Sequence, residues 1–269
     1  MRRVVRKFLR AVVDHDPEYY DMYADPNETF FGRLYLERIQ RHAEAAGIRP
    51  PARVVEAGCQ AGRLLIPLAK MGFDVTGIDT SRYALRRARE HATAAGVDVK
   101  LVQGNLMGVL NGAHRGRYDI VVCAEVLYLS REYRAMLHAL ASAVKPGGLL
   151  CVSHRSTWYY QLEAVRRDDV ETAREVSARS EGPFFDSAYF NWQTEEELRA
   201  LYAPLEPRGL SLYPIDRLAW LSGISPSQLS GSGREGLLQL ELEDGAGHPT
   251  CARYVLVIAE IAPEPDHLR

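Results

Sequence analysis

The sequence lacks an excess of charge of either sign, and it lacks any long apolar run. Its 269 residues include 33 Lys and Arg against 35 Asp and Glu, which leaves a formal charge of −2. A chain so close to neutral offers no field that would attract nucleic acid or an anionic membrane. No stretch approaches the roughly 20 apolar residues of a membrane-spanning helix, and no secretory signal pattern is present. We therefore expect a cytoplasmic protein.

Cysteine is also scarce. The four cysteines, at positions 59, 123, 151 and 251, lie far apart, and none forms a Cys-x-x-Cys pair. This spacing argues against a disulfide framework and against a structural zinc site, and it favours reduced thiols. No metal site is predicted.

The middle of the chain alternates short apolar runs with helical patterns. The five runs are ARVVEAG, DVTGID, DVKLVQGN, YDIVVCAEVLYL and GGLLCVSHR, between about residues 51 and 155. Strands separated by helices predict a parallel sheet with helices on both faces. In such a sheet the ligand crevice lies at the carboxyl ends of the strands.

The flanking segments predict a cap and a lid. Amphipathic helices are expected over residues 1–13 and 32–46, and another over residues 159–180, followed by a loop. Thr194 opens a further helix with a Thr-x-x-Glu capping box. A surface loop over residues 222–235 and paired strands LLQLELE and ARYVLVIAEI are expected near the end. The predicted units are a helical cap (1–50), a cofactor-binding core (51–155), a lid insertion (156–193) and a C-terminal completion of the sheet (194–269).

A glycine-containing turn follows the first strand, but it lacks one glycine of the dinucleotide pattern. The strand ends at Glu56, and the turn Gly58-Cys59-Gln60-Ala61-Gly62 leads into a helix. A dinucleotide pyrophosphate requires three glycines in G-x-G-x-x-G, and no Tyr-x-x-x-Lys follows the fourth strand. A nicotinamide-dependent dehydrogenase is therefore disfavoured. Asp79 ends the second strand, seventeen residues beyond Gly62, where a carboxylate can accept hydrogen bonds from both hydroxyls of a ribose.

Taken in order, these features resemble the class I S-adenosylmethionine-dependent methyltransferases over about residues 53–152. VVEAGCQAG resembles the first motif of that family, GIDTSRYAL the second, QGNL the third-strand motif and VKPGGLL the lead into the fifth strand. The resemblance implies a Rossmann-like α/β fold, mostly parallel with an antiparallel C-terminal strand. It also implies S-adenosylmethionine as cofactor and S-adenosylhomocysteine as product.

The resemblance also implies which residues contact the cofactor. The methionyl end would contact Glu56 and the turn residues Gly58, Cys59, Gln60 and Gly62. The ribose would bind Asp79, and the adenine would contact Thr80, Asn105 and Leu106. Ala124 and Glu125 would line the cleft beside the fourth strand. Two positions depart from the family pattern, since Gln60 replaces a glycine and Asn105 replaces an acid. Four alternatives stay open: Gly58 and Gly62 as residues that only allow close helix–strand packing, Asp79 as a helix N-cap, Asn105 as a turn residue and Glu125 as a surface acid.

Methyl transfer requires mainly that the acceptor be held in line with the methyl group, about 3–3.5 Å away. A general base is needed only if the acceptor loses a proton. His154, expected at the rim after the fifth strand, and Tyr159 are the candidate catalytic residues. Arg155 has the planar fork that binds a carboxylate or phosphate. A histidine bonded to backbone and a solvated arginine are the alternatives.

Aromatic residues concentrate in the cap and lid segments. Those expected to cover the acceptor are Tyr19, Tyr20, Tyr23, Trp158, Tyr160 and Trp192. They favour a small, apolar or aromatic acceptor, with plain hydrophobic contact between lid and core as the alternative. The sequence therefore predicts methyl transfer to a small molecule by a monomer or homodimer. An RNA or protein methyltransferase, or a cofactor-binding protein without catalysis, is the second interpretation. The sequence Ala124-Glu125-Val126-Leu127 lacks the Pro-Pro-aromatic motif of adenine methyltransferases, which argues against nucleic acid.

Overall fold

The computed structural model describes residues 19–111, 114–243 and 248–262. The helix predicted over residues 1–13 lies outside them. The first part contains α1 (Pro26–Ala45), β1 (Arg53–Ala57), α2 (Leu65–Lys70), β2 (Asp74–Asp79), α3 (Arg82–Ala95), β3 (Lys100–Gln103), α4 (Leu106–Leu110), β4 (Tyr118–Cys123), α5 (Tyr133–Ala143) and β5 (Val144–His154). The second part contains α6 (Thr157–Arg166), α7 (Val170–Ala178), β6 (Glu181–Phe184), β7 (Ser187–Asn191), α8 (Glu195–Tyr202), β8 (Gly209–Ile215), α9 (Leu218–Ser222), α10 (Gly231–Glu243) and β9 (Tyr254–Glu260).

Seven strands form one sheet in the order β3-β2-β1-β4-β5-β9-β8. The pairs β1–β2, β1–β4, β2–β3 and β4–β5 are parallel, whereas β9 runs antiparallel to both β5 and β8. The predicted Rossmann-like fold with an antiparallel C-terminal strand is confirmed. Because β9 alone is reversed, its first residues lie at the same edge as the carboxyl ends of the other strands.

Strand side chains alternate between two buried layers, one on each face of the sheet. Val54, Ile120 and Cys151 face a layer that includes α1, α2 and α10. Val55 and Val121 face the layer that includes α4, α5 and α8. Burial on both faces explains why these strands read as continuous apolar runs in the sequence. Within the described residues, no helix is both long and apolar enough to cross a membrane.

The helix expected over residues 32–46 begins earlier, at Pro26. Asp25 is its N-cap and accepts hydrogen bonds from the backbone N–H of Asn27 and Glu28 at 2.8 and 3.1 Å. Proline suits the first helical position because its missing N–H would have no partner there. The Asp-Pro pair therefore starts the helix. The capping box at Thr194 is present as predicted.

The strand predicted for LLQLELE is wrong, because this segment belongs to the helix α10. Leu238 and Leu242, one helical turn apart, are buried, whereas Leu240 between them is exposed. Buried Glu241 accepts hydrogen bonds from the first N–H groups of α9, at 2.8 Å from Leu218. Strand β9 pairs instead with β5 and with β8, a strand that the sequence reading did not identify.

The lid segment is also more divided than expected. Two helices, α6 and α7, replace the single helix over residues 159–180, because Asp168 adopts a positive φ of 58° between them. The expected loop over residues 182–193 contains the hairpin β6–β7. The surface loop expected over residues 222–235 ends early, since α10 begins at Gly231.

Candidate active site

A cavity of about 500 Å³ lies at the carboxyl edge of the sheet, beside β1, β2, β3 and β4. The strand order reverses between β1 and β4, which is the point where open α/β sheets bind ligands. Ten residues predicted to bind cofactor or acceptor line this cleft: Tyr20, Gly58, Gln60, Asp79, Thr80, Asn105, Leu106, Ala124, Glu125 and Arg155. Residues that the sequence reading missed, among them Met22, Glu28, Tyr128, Arg253 and Tyr254, line it too.

The glycine turn divides its residues between the cleft and the core. Gly58 lines the cleft with φ +84°, and a Cβ there would lie 2.3 Å from a methyl carbon of Val126. Gly62 has φ +93°, and a Cβ would lie 2.8 Å from Ile66 of α2, so this glycine serves close packing of the helix. Cys59 and Glu56 are buried behind the cleft wall. Burial raises the pKa of Glu56 to about 8.

Gln60 holds the segment that precedes α1. Its backbone has a positive φ of 45°, the conformation for which the family uses glycine. The side-chain amide donates to the carbonyl of Tyr20 at 2.9 Å and accepts from the N–H of Met22 at 3.1 Å. The glutamine therefore ties residues 20–22 to the edge of the cleft, where Tyr20 and Met22 form part of the wall.

Asp79 anchors the other end of the cleft. One carboxylate oxygen accepts from the N–H of Gln60 at 2.9 Å, and the other accepts from the N–H of Ser81 at 2.8 Å. Each oxygen retains a second lone pair for another donor. Ser81 is the N-cap of α3, so the capping alternative for Asp79 is not adopted. Asn105 caps the short helix α4 by accepting from Met107 and lines the cleft at the same time.

A buried ion-pair network joins α1 to the end of β4. Arg63 binds Glu28 and also donates to Glu125 at 2.6 Å. Burial raises the pKa of Glu28. Burial acts in the same direction on Glu125, but its ion pair with Arg63 holds the pKa of that carboxyl below its usual range. Glu125 is therefore a paired acid with a side chain only 11% exposed, rather than the surface acid of the alternative interpretation.

The reversed strand β9 brings two further residues to the cleft. Arg155 follows β5 and lies 3.8 Å from the ring centre of Tyr254, the first residue of β9, to whose hydroxyl it donates at 2.8 Å. Arg253 donates to Asp216, which follows β8, at 3.2 Å. Burial raises the pKa of Asp216 to about 6. These contacts join residues 99 and 37 positions apart, so no local pattern marks them.

His154 does not lie at the rim, and that expectation is wrong. It is fully buried, and its Nε2 lies 2.8 Å from the hydroxyl of Tyr202 in α8. Adjacent strand residues face opposite sides of a sheet. Ser153 accepts from the N–H of cleft residue Glu125, whereas His154 faces the opposite layer. Burial lowers the pKa of His154 to about 3, so the ring is neutral.

Most of the predicted lid aromatics lie beside the cleft rather than in it. Tyr19 packs on Tyr83, and Tyr23 stacks on His91. Trp158 is half exposed, whereas Trp192 is fully buried inside the lid. A second cavity, of about 390 Å³, is lined by Tyr128, Leu129, Arg155, Tyr159, Tyr160, Glu163, Arg167, Phe184, Phe185, Asp186, Ser187 and Phe190. In the described ranges, no group of three or more His, Cys, Asp or Glu side chains is placed to hold a metal ion.

Comparison with known proteins identifies the family. Residues 54–148 match the family model described as a methyltransferase domain. The chain is 32% identical over 195 residues to a ubiquinone biosynthesis O-methyltransferase from Bordetella avium, covering 71% of this chain and 77% of that protein. It is 36% identical over 148 residues to the protein of the same name from Ralstonia nicotianae, covering 52% of this chain and 60% of that protein.

A solved structure with the same fold contains the expected product. Magnesium protoporphyrin IX methyltransferase from Synechocystis, with bound S-adenosylhomocysteine, superposes with a TM-score of 0.57 at 19% identity over 97% of this chain and all of that one. The predicted family, enzyme class and cofactor are confirmed, while the individual site residues stay predictions. This chain belongs to the class I S-adenosylmethionine-dependent methyltransferases.

Proposed function

We propose that this protein transfers a methyl group from S-adenosylmethionine to an oxygen atom of a small aromatic acceptor. One observation carries the proposal: Tyr128 and Arg155 line both the cleft and the aromatic cavity. The two cavities therefore meet at a common wall, and a planar molecule in the second one borders the first. The oxygen acceptor follows from the names of the relatives, which are O-methyltransferases.

The cleft residues fit the cofactor in shape and in donor set. Gly58 lines the cleft, and the absence of a side chain there makes room for Val126, which forms part of the same wall. Asp79 has free lone pairs for ribose hydroxyls, and Asn105 and Leu106 lie where the resemblance expects the adenine. The cofactor supplies an electrophilic methyl group on a positively charged sulfur.

The remaining residues orient the acceptor and exclude water. Tyr20 and Met22 close one side of the cleft and are held there by Gln60. The ring centre of Tyr159 lies 3.9 Å from the guanidinium carbon of Arg155, and the ring forms part of the wall of the aromatic cavity. Tyr159 therefore stays a candidate for contact with the acceptor. His154 has no such position, and we propose no proton transfer through it.

The test compares Asp79→Ala with Asp74→Ala. Both residues belong to β2, but Asp74 begins the strand and pairs with exposed Lys100, outside the cleft. Each hydrogen bond to a charged group contributes about 1.5–3 kcal/mol, so losing the ribose contacts should weaken S-adenosylhomocysteine binding at least tenfold. Calorimetry should give wild-type affinity for Asp74→Ala. Unchanged affinity in Asp79→Ala, or no binding to the wild type, would refute the site.

A second measurement tests the reaction. Release of S-adenosylhomocysteine is followed with a phenol, a catechol, a thiophenol and an aniline as acceptors. We expect turnover with the oxygen nucleophiles. Turnover restricted to the sulfur or nitrogen compounds would contradict oxygen as the acceptor atom while leaving the methyltransferase assignment intact.

A further inference from the structure

Arg155 has an unusual position for a charged side chain. It is only 6% exposed and is enclosed by three tyrosine rings. The guanidinium carbon lies 5.0 Å from the ring centre of Tyr128, 3.9 Å from that of Tyr159 and 3.8 Å from that of Tyr254. Its two hydrogen bonds go to neutral groups, the carbonyl of Arg253 at 3.1 Å and the hydroxyl of Tyr254 at 2.8 Å.

No carboxylate in the described part of the chain forms an ion pair with this arginine. Glu125 and Asp216 interact electrostatically with Arg155, but each already has an arginine partner, Arg63 and Arg253 respectively. The Nε–H of Arg155 is buried and has no hydrogen-bond partner among the described residues. Burying a cation is unfavourable unless a negative charge offsets it, and cation–π contacts with neutral rings compensate only in part.

The location of Arg155 indicates where a negatively charged ligand group would bind. The side chain lines both the cofactor cleft and the aromatic cavity, so a ligand in either one lies beside it. Arg155 follows β5, which lies next to β4 on the side away from β2 and Asp79. It is thus at the opposite end of the cleft from the proposed ribose contact, on the side of the aromatic cavity.

The geometry points to an acceptor that carries a negatively charged group, a carboxylate or a phosphate, bound by Arg155 while the aromatic ring occupies the tyrosine- and phenylalanine-lined cavity. This inference rests on the proposed function and narrows its substrate class. The planar guanidinium fork matches either anion, and Nε–H is a donor that no protein group occupies. The tyrosines hold the fork in place before the ligand arrives, which reduces the entropy lost on binding.

The experiment titrates the S-adenosylhomocysteine-saturated wild type with three probes. These are catechol, 3,4-dihydroxybenzoate and catechol 4-phosphate, which share one ring and differ in its anionic group. We expect at least one anionic probe to bind tenfold or more tightly than catechol, and the better of the two distinguishes carboxylate from phosphate. Equal binding of all three, or no detectable binding of either anion, would overturn the inference.

Two variants locate the effect. Arg155→Gln should abolish the preference for the anionic probe, and Arg155→Lys should restore only part of it because an ammonium lacks the fork. The control Arg199→Gln removes an arginine of α8 that pairs with Glu195 on the surface and should bind all probes as the wild type does. An unchanged preference in a folded Arg155→Gln would show a structural role and refute the inference.

The same titrations separate this inference from the proposed function. If Arg155→Gln weakens S-adenosylhomocysteine as strongly as it weakens the anionic probe, the anion is the carboxylate of the cofactor and the inference fails, while the methyltransferase assignment stands. If the wild type binds no S-adenosylhomocysteine, the proposed function fails first.

Discussion

Gln60 offers a prediction in which two physical effects can be separated. The residue has a positive φ of 45°, and its amide makes two hydrogen bonds to the backbone of residues 20 and 22. Gln60→Ala removes both hydrogen bonds and keeps a side chain in the left-handed conformation. Gln60→Gly removes the same hydrogen bonds but also relieves the backbone strain. The two variants therefore differ in backbone strain and, in the opposite direction, in the larger entropy of the unfolded chain with glycine.

The expected magnitudes follow from these contacts. Each hydrogen bond contributes about 0.5–1.5 kcal/mol, so Gln60→Ala should lower the free energy of unfolding by about 1–3 kcal/mol. A residue with a Cβ in the left-handed region costs about 1–2 kcal/mol, which glycine recovers. Gln60→Gly should therefore be about 1–2 kcal/mol more stable than Gln60→Ala and within about 1 kcal/mol of the wild type.

Denaturant unfolding measures these differences, and S-adenosylhomocysteine calorimetry measures their effect on the site. Because Tyr20 and Met22 line the cleft, both variants should bind the ligand more weakly than the wild type, by a similar factor. Limited chymotrypsin digestion should cut near Tyr20 faster in both. Equal stability of the two variants would refute the strain argument. Unchanged affinity and digestion would show that the two hydrogen bonds do not hold the segment.

Three further predictions concern burial. Gly58→Ala should lose cofactor binding, since its Cβ would lie 2.3 Å from Val126; adding Val126→Ala should restore only part of the affinity because φ stays at +84°. The pKa of His154 is lowered to about 3, so the folded protein favours the neutral ring. The wild-type free energy of unfolding is therefore at its full value above the ordinary histidine pKa, and it falls at lower pH because the unfolded chain binds a proton at His154. Between pH 7 and pH 4.5 the free energy of unfolding should fall by about 3 kcal/mol more in the wild type than in His154→Phe. An equal fall in the variant would contradict the burial argument. Burial raises the pKa of Asp216 to about 6, so its contribution to stability is present at low pH and lost as pH rises. From pH 4 to pH 7 the free energy of unfolding of Asp216→Asn should rise by up to about 3 kcal/mol relative to that of the wild type. No relative rise would refute a buried acid at this position.

The glycine turn and the position of Asp79 could be predicted because their determinants are local. Gly58 and Gly62 adopt the positive φ that a strand-to-helix turn requires, and Asp79 ends the next strand. Each residue is fixed by neighbours within a few positions, and the parallel strands place these turns together. Gln60 departs from the glycine that the family has in this turn. Its hydrogen-bond partners, residues 20 and 22, lie 40 and 38 positions away, so the sequence around the turn does not identify them.

The errors arose where distant contacts decide the structure. LLQLELE fits either an alternating strand or a helix with Leu238 and Leu242 on one face, and Glu241 resolves the choice through its hydrogen bonds to α9. His154 was predicted on the cleft side of β5, but Ser153 has that position. Adjacent residues of a strand face opposite sides of the sheet, so an error of one residue moves a side chain to the other layer. The burial of Ser153 under Glu125 fixes which side each residue faces, and only the folded sheet reveals it.

The family model covers only some of the residues that line the cleft. The methyltransferase family model ends at residue 148, before Arg155, Tyr159, Arg253 and Tyr254. This model therefore covers the half of the cleft that we propose binds the methyl donor. The other half depends on one strand, β9, whose reversed direction brings residues from near the end of the described chain against the end of β5. A relative can share the first half and differ in the second without loss of fold. The family model over residues 54–148 thus leaves the acceptor unspecified, and the chemistry around Arg155 bears on it directly.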